Sequence, residues 1–387
     1  MDKAKRRHVR VYKFFRFILG PFIRLLFNYR YERFPEIDGP CIVLANHNSD
    51  WDPIYVALAS RKHMYFVASE HTFHWGLLSR LLRRYFAPIA RMKGTTDTVS
   101  AINILRHLRQ GANVCIFAEG NRSWDGRTCP IHPSIGKLVR TGGAALITYK
   151  LIGGYLTSPR WSTHQRRGRL EGRLVGVYPP EETRSMSPDE IMSLVERDLH
   201  EDAYARQETE MVAYRGRRMA EKLETAIYMC PKCGGIDTMK SENNRFSCSC
   251  GFELLYNKYG FFEGDDVPFR TVAQWDDWQT KRLADLAEDH DLVLSNEDTQ
   301  LYQTYESHLQ TEVTRGRLCL SRNALTVGDR RFPLSSVNKM DLFSRQGLVF
   351  SSGGNHFEVK SSAVFCARKY LIFWKLLKGR EKVPAAK

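Results

Sequence analysis

Short apolar runs alternate with amphipathic segments through the first half of the chain, between residues 41 and 178. Short apolar runs are typical of buried strands, and amphipathic segments of this length are typical of helices. The alternation predicts an α/β fold, with a central sheet flanked by helices. The predicted strands are 41–45, 64–68, 86–89, 114–118, 144–148 and 174–178, and the predicted helices are 75–85, 97–110, 135–141, 188–203 and 208–228.

The N-terminal segment has a different pattern. Residues 1–10 are a basic tail, and residues 11–27 are strongly apolar, interrupted by three cations on one helical stripe, Lys13, Arg16 and Arg24. A helix over 11–27 spans only about 25 Å, less than the roughly 30 Å of a bilayer core. The pattern therefore predicts a helix that lies in the interface of an anionic membrane. A helix packed on the protein is the alternative interpretation.

The second half of the chain is predicted to be mainly β. A helix over 273–287 is followed by short strands at 317–321, 324–327, 348–351 and 356–359, and an amphipathic helix over 364–378 ends the pattern. Strands followed by a final helix suggest a pleckstrin-homology-like barrel. The predicted organisation is an interfacial helix at 1–30, an α/β domain at 31–229, a small cysteine-containing segment at 230–265 and a β-rich domain at 266–387.

Charge is unevenly distributed along the 387 residues. Residues 1–229 hold 36 Lys and Arg against 23 Asp and Glu, a net charge of +13, whereas the remainder has 22 against 20. A basic first half favours phosphate-bearing partners, namely anionic lipid, a phosphorylated substrate or nucleic acid. Nine cysteines without a signal peptide favour a reducing compartment. The expected location is therefore the cytoplasmic face of a membrane, as a peripheral or monotopic protein.

Candidate chemistry begins at the turn after the first predicted strand, in the sequence His-Asn-Ser-Asp-Trp-Asp-Pro. It carries His47 and, five positions later, Asp52, directly before the predicted helix that contains Pro53. A neutral imidazole can remove a proton from an alcohol, and a carboxylate on its other nitrogen fixes the tautomer. No nucleophilic side chain is needed if the alcohol belongs to the substrate. Alternatively, Asp52 only caps the helix.

A second stretch, Phe-Ala-Glu-Gly-Asn-Arg-Ser at residues 117–123, begins at the end of the predicted strand 114–118. Gly120 allows the backbone to approach a ligand closely, and Arg122 offers a forked donor for phosphate. A solvated turn at the end of a strand is the alternative interpretation.

The two stretches together resemble the glycerophospholipid acyltransferases, the family of the lysophosphatidic acid acyltransferases. The family's His-x4-Asp motif matches His47 and Asp52, and its Phe-Pro-Glu-Gly-Thr-Arg-Ser motif matches residues 117–123. The family's arginine motif, which precedes a helix, matches Arg91. This chain departs from the pattern at Ala118 and Asn121, and it lacks a clear fourth motif.

The resemblance implies an enzyme that moves a fatty acyl group from an acyl thioester to 1-acylglycerol 3-phosphate, giving phosphatidic acid. His47 would be the general base and Asp52 its orienting partner. Glu119, Gly120 and Arg122 would hold the glycerol phosphate, and Arg91 would add phosphate affinity or be only a surface charge. The co-substrate would be acyl-CoA or an acylated acyl carrier protein, with no cofactor for catalysis. Glycerol 3-phosphate and other lysophospholipids are alternative acceptors.

A metal site is predicted from four cysteines in two close pairs, each followed by a glycine. The pairs are Cys230 with Cys233 and Cys248 with Cys250. Such pairs hold tetrahedral zinc in zinc ribbons, although the second pair has one residue between its cysteines where two are usual. A site closed by four sulfur ligands would be structural. A disulfide pair or free thiols are the alternatives.

The alternative function, from a different class, is that of a non-catalytic zinc-ribbon protein that binds nucleic acid or a protein partner. The charge distribution disfavours nucleic acid, because the ribbon half carries little of the positive charge needed to neutralise phosphates.

Overall fold

The computed structural model describes residues 3–69, 80, 84–91, 98–305 and 310–381. Its first half is an α/β domain, as the sequence predicts. The strands of this half are β1 Tyr29–Tyr31, β2 Cys41–Ala45, β3 Met64–Ser69, β4 Ile89–Arg91, β5 Asn113–Phe117, β6 Ala145–Ile152 and β7 Leu170–Tyr178. The helices are α1 Lys3–Phe27, α2 Asp52–Ala59, α3 Thr98–Arg109, α4 Ser134–Gly142, α5 Gly154–Thr157, α6 Pro180–Ser185, α7 Pro188–Leu199 and α8 Ala203–Glu210.

The seven strands form one sheet in the order β1-β7-β6-β2-β5-β3-β4. The central strands β2 and β5 are parallel and buried along their whole length, which explains their continuous apolar sequence. Alternate residues face opposite layers, so that Val43 and Ala45 pack with α1 and α2, whereas Ile42 and Leu44 pack with α3, α4 and α7. The carboxyl ends of β2 and β5 are therefore neighbours, and the loops that follow them meet.

Most of the strands and helices predicted between residues 41 and 178 are observed, some with shifted bounds. The strand predicted at 86–89 is observed as Ile89–Arg91. The helix predicted at 75–85 lies mostly outside the described residues.

Helix α1 is longer than the apolar stretch that predicts it and continues through Pro21. Tyr12, Ile23 and Phe27 are buried, so one face of the helix packs on the domain, as the alternative interpretation states. The other face exposes large apolar side chains, Phe14, Phe15, Phe17, Ile18, Phe22, Leu25 and Leu26. Within the described residues, every helix is too short or too polar to cross a bilayer.

The prediction of a helix over 208–228 is wrong. Helix α8 ends at Glu210, and Met211 has a left-handed backbone with a φ of 46°. The chain then runs irregularly to a short 3₁₀ turn at Leu223–Thr225. The apolar residues that suggest a helix, including Tyr214, Met219 and Leu223, are buried against the cysteine segment. The helix predicted at 188–203 ends at Leu199, and Asp202 caps α8 instead.

The second half contains a small ribbon and a larger β structure. The ribbon strands are β8 Met239–Glu242, β9 Arg245–Cys248, β10 Glu253–Tyr256 and β11 Phe262–Glu263, and helix α9 Val272–Leu286 follows them. The next strands are β12 Leu294–Thr304, β13 Gln310–Leu320, β14 Ala324–Val327, β15 Arg330–Pro333, β16 Val337–Phe343, β17 Gly347–Ser352 and β18 Asn355–Ser361, and helix α10 Ala367–Glu381 ends the described chain.

These last seven strands form an antiparallel sheet in the order β15-β14-β13-β12-β18-β17-β16. Helix α10 packs on β16 and β17. The observed sheet and terminal helix agree with the predicted mainly β character. The pleckstrin-homology likeness and the domain boundaries stay predictions.

The buried core does not divide at the predicted boundary of residue 229. One continuous cluster runs from Trp124 and Trp161 of the first half, through the ribbon, to Leu377 in α10. An ion pair links the two helices of the second half, because Arg368 donates through both terminal nitrogens to the buried Asp276. The ribbon and the β structure are therefore packed against the α/β domain.

Candidate active site

His47 lies in the loop between β2 and α2, at the carboxyl edge of the sheet. Its Nδ1 lies 2.8 Å from Asp52 Oδ2. A carboxylate only accepts hydrogen bonds, so this contact places the imidazole proton on Nδ1 and leaves Nε2 as the basic nitrogen. The His47 side chain is about one-fifth exposed, at 21%, which leaves it accessible to a substrate.

Asp52 is fully buried at the start of α2. Its Oδ2 accepts hydrogen bonds from the backbone N–H groups of Asn48 (2.6 Å) and Ser49 (2.9 Å), and its Oδ1 accepts one from Ser49 Oγ (2.6 Å). These donors stabilise the ionised carboxylate in its buried position. These donors lie in the loop before the helix, so their hydrogen bonds to Asp52 hold the loop that carries His47. The helix cap is Trp51, which makes no side-chain capping bond, and the capping interpretation of Asp52 is not supported.

The end of β5 and the loop after it also contact His47. The Phe117 ring stacks on the imidazole, with centroids 4.5 Å apart and planes inclined by 21°. Glu119 Oε1 accepts a hydrogen bond from the His47 backbone N–H at 2.6 Å, and its Oε2 accepts one from the Cys129 N–H at 2.5 Å. The imidazole is therefore positioned by residues from both motifs.

Glu119 is buried, and both oxygens of its carboxylate accept hydrogen bonds from backbone N–H groups. Burial raises the pKa of Glu119 to about 8, although its two backbone donors oppose this effect. The observed contacts of Glu119 position the two loops. Direct contact of Glu119 with the glycerol phosphate stays a prediction from the resemblance.

Arg91, at the end of β4, meets the turn that contains Gly120. The Gly120 backbone has a φ of +68°, and a Cβ added there would lie 2.5 Å from Arg91 Nη1. The left-handed backbone favours glycine at this position, and the Arg91 guanidinium lies directly against it. The structure places Arg91 next to Gly120, and its role in binding phosphate stays a prediction.

Arg122 lies at the rim of the same turn. Its Nη1 donates to Asp50 Oδ2 at 2.9 Å, and the Asp50 side chain is 79% exposed. The Arg122 side chain is only 13% exposed, so the ion pair is open to solvent mainly on the Asp50 side.

Three residues near the site were not predicted from the sequence. Arg160 is buried and its Nη1 donates to the carbonyl of Arg122 at 3.2 Å. Burial, with Arg122 nearby, lowers the pKa of Arg160 to about 9. The other two, Asp341 and Arg345, come from the β-rich second half. Both are separated from the motifs by more than 180 residues, so no local pattern in the sequence could indicate them.

The four predicted metal ligands also meet. The sulfur atoms of Cys230, Cys233, Cys248 and Cys250 all lie within 4.8 Å of one another. The Cys230–Cys250 and Cys233–Cys248 sulfur distances are 3.8 Å and 3.7 Å. Zinc–sulfur bonds of about 2.3 Å in a tetrahedron place the sulfurs about 3.8 Å apart, so the cluster fits zinc. These distances exceed a disulfide bond of about 2.05 Å.

Comparisons with known proteins agree with the resemblance over the first part of the chain. Residues 27–151 match the model of the family described as Acyltransferase. Two chloroplastic 1-acyl-sn-glycerol-3-phosphate acyltransferases match over 123 residues, or 32% of this chain. The Brassica napus protein is 26% identical over 36% of its length, and the Arabidopsis thaliana protein is 27% identical over 34%. This chain therefore spans about one-third of the length of these relatives.

A solved structure, the 1-acyl-sn-glycerophosphate acyltransferase of Thermotoga maritima, is similar at 18% identity, with a TM-score of 0.42. The match covers 51% of this chain and 78% of that protein.

The buried Glu119 carboxyl predicts a pH effect on stability. Its folded pKa of about 8 exceeds its ordinary value of 4.5, so between these values the folded protein keeps a proton that the unfolded chain releases. The Glu119 contribution to stability is therefore full below pH 4.5 and is lost as the pH rises to about 8. Glu119→Gln should lack this component.

Thermal unfolding of both proteins across this pH range checks the prediction. The melting temperature of the wild type, minus that of Glu119→Gln, should fall with rising pH and level off above about pH 8. Parallel curves for the two proteins would contradict it.

Proposed function

We propose, from the premise that residues 27–151 belong to the acyltransferase family, that this protein transfers a fatty acyl group to the hydroxyl of 1-acylglycerol 3-phosphate. The observation that carries the proposal is the 2.8 Å contact between His47 Nδ1 and the fully buried Asp52. It provides a base of fixed tautomer next to a turn that contains Arg122 and lies against Arg91. The product would be phosphatidic acid.

The transfer needs no nucleophile from the protein. His47 Nε2 takes the proton of the acceptor hydroxyl as its oxygen attacks the thioester carbonyl, and Asp52 stabilises the imidazolium that forms. The carbon–oxygen bond forms, the carbon–sulfur bond breaks, and the proton passes from Nε2 to the leaving thiolate. General base catalysis of this kind contributes about 10²–10⁴ in rate.

The acceptor phosphate would bind at the turn after β5. Arg122 there presents its guanidinium at the rim, paired only with the exposed Asp50 among the contacts described for that side chain. Arg91 lies against Gly120 in the same turn. Guanidinium groups bind phosphate through paired N–H donors, so this turn would fix the acceptor beside His47.

Purified protein tested with labelled acyl-CoA or acylated acyl carrier protein, and with a panel of acceptors, decides the substrate. The panel is 1-acylglycerol 3-phosphate, glycerol 3-phosphate and 1-acylglycerophosphocholine. We expect phosphatidic acid from the first acceptor. Preferred acylation of either other acceptor would assign that acceptor instead, and no transfer to any of them would overturn the proposed function.

The two aspartates of the His47 loop make a matched pair for the same assay. Asp52→Asn should reduce kcat by about 10²-fold or more, because an amide neither stabilises the imidazolium nor holds the same tautomer. Asp50→Asn removes an equal charge from the exposed rim and should cost much less. Equal losses of kcat in the two variants would contradict the orienting role of Asp52.

We propose further that Cys230, Cys233, Cys248 and Cys250 hold a structural zinc ion. Cys230 and Cys248 are buried and Cys233 and Cys250 are exposed, so the site lies at the ribbon's edge rather than at the catalytic loops. A metal with four protein ligands has no open position for a substrate. The ion would stabilise the ribbon, whose residues are part of the core shared with both neighbouring domains.

Metal analysis of the purified protein should give about one zinc per chain. Cys233→Ser should lose the metal and lower the melting temperature, whereas Cys319→Ser, in the β-rich domain, should retain the metal. A wild-type protein without zinc, whose melting temperature is unchanged by a strong chelator, would exclude the site.

Helix α1 supports a third proposal, attachment to the surface of an anionic membrane. Its exposed face includes Phe17 and Leu25, which are 82% and 72% exposed. A cavity of about 320 Å³ next to this face is lined by Leu25 and Leu26 on one side and by Arg167 and Arg215 on the other. Apolar side chains beside arginines suit the boundary between acyl chains and anionic headgroups.

Introducing negative charge on the exposed face tests this attachment better than removal of the helix, because Tyr12, Ile23 and Phe27 belong to the core. Phe17→Glu combined with Leu25→Glu should weaken sedimentation with phosphatidylcholine–phosphatidylglycerol vesicles at least tenfold. The matched control, Leu255→Glu with Val293→Glu, changes two other exposed apolar side chains and should bind like the wild type. Equal vesicle binding by both double variants would contradict the proposal.

A further inference from the structure

The β-rich domain contacts the candidate active site through the end of β16 and the loop after it. Asn121 Nδ2 donates to Asp341 Oδ1 at 3.0 Å, and Arg160 Nε donates to the carbonyl of Ser344 at 3.0 Å. In return, Arg345 Nε donates to the carbonyl of Arg160 at 3.2 Å. These bonds join residues 184 to 220 positions apart in the chain. The turn that carries Arg122 is therefore bordered by the second half of the protein.

These contacts place Arg345 next to Arg160, the residue that also contacts Arg122. Both lie against Arg160, which accepts from Arg345 through its carbonyl and donates to the Arg122 carbonyl through its guanidinium. Arg345 is partly buried, and its pKa is lowered by burial and by the positive charge of Arg122, an effect that Asp50 opposes. The guanidinium groups of Arg345 and Arg122 are therefore near enough for the charge of one to affect the other, and Asp50 is close enough to affect both.

Like charges held together raise the free energy of the empty site, and an anion with two negative charges removes that cost. Asp50 neutralises one of them from an exposed position. A phosphate that replaced Asp50 would interact with both guanidinium groups. The arrangement is therefore suited to a phosphate monoester more than to a singly charged carboxylate.

We propose that Arg345 binds the phosphate of the acyl acceptor together with Arg122, so that the β-rich domain completes the acceptor site. The proposal rests on the proposed acyltransferase function. It assigns a substrate-binding residue to a domain that lies outside the matched residues 27–151. It also gives a role to Asn121, one of the positions at which this chain departs from the family motif, because Asn121 holds Asp341 of β16.

The position relative to His47 selects the acceptor rather than the acyl donor. Ser123, the residue after Arg122, donates its backbone N–H to the His47 carbonyl at 3.1 Å. The turn that carries Arg122 is therefore hydrogen-bonded to the backbone of the proposed base. In 1-acylglycerol 3-phosphate, only two carbons and one ester oxygen separate the phosphorus from the reacting hydroxyl oxygen. A hydroxyl placed at His47 therefore has its phosphate within a short reach of this turn.

Steady-state kinetics of Arg345→Ala in the full-length chain test the proposal. The KM for 1-acylglycerol 3-phosphate should rise about tenfold or more, while the KM for the acyl thioester stays within about twofold. Glycerol 3-phosphate, used as a competitive inhibitor against the acceptor, should lose affinity by a similar factor. Arg345→Lys, which keeps the charge without the fork, should fall between Arg345→Ala and the wild type.

Arg331→Ala is the matched control, because it removes an exposed arginine from β15 of the same domain. It should behave as the wild type, and melting temperatures should show that all variants are folded. If the wild type acylates the acceptor and Arg345→Ala has the kinetics of Arg331→Ala, this inference alone is overturned. A rise only in the KM for the thioester would also overturn it, by placing Arg345 at the donor. A wild type that acylates no acceptor would overturn the proposed function, and this inference with it.

Discussion

The site depends on the hydrogen bonds that surround the buried carboxylate of Asp52. An ionised carboxylate inside a protein is tolerated only where donors surround it, and here the donors are His47 Nδ1, two backbone N–H groups and the Ser49 hydroxyl. Satisfying this one charge folds the loop after β2 and sets the imidazole's orientation and tautomer. The same contacts that stabilise the loop therefore prepare the base.

The sheet brings the other components to that base. Parallel strands β2 and β5 are adjacent, so the loops after them share one edge. Phe117 at the end of β5 and Glu119 in the loop after it both contact His47. Strand β4 delivers Arg91 to the same edge. The second half of the protein borders this edge as well, through a core that runs without interruption from Trp124 to α10.

Much of this could be predicted from the sequence where the determinants are local. Buried parallel strands have continuous apolar sequences, so β2 was predicted at its observed bounds. His47 and Asp52 are five residues apart, and the four cysteines are encoded by their spacing. Arg160, Asp341 and Arg345 reach the site only by long-range packing, which no local pattern records. The helix predicted over 208–228 failed for a related reason, because its apolar residues are buried by the ribbon and need no helical period.

The rate of acyl transfer by His47→Ala, compared with the wild type on the same thioester and 1-acylglycerol 3-phosphate, tests the central claim most directly. If His47 is the base that Asp52 orients, the variant should still fold and keep its acceptor affinity while kcat falls by about 10²-fold or more. Its melting temperature should fall, because the buried Asp52 loses one of its donors. A folded His47→Ala protein that transfers the acyl group at the wild-type rate would contradict the account.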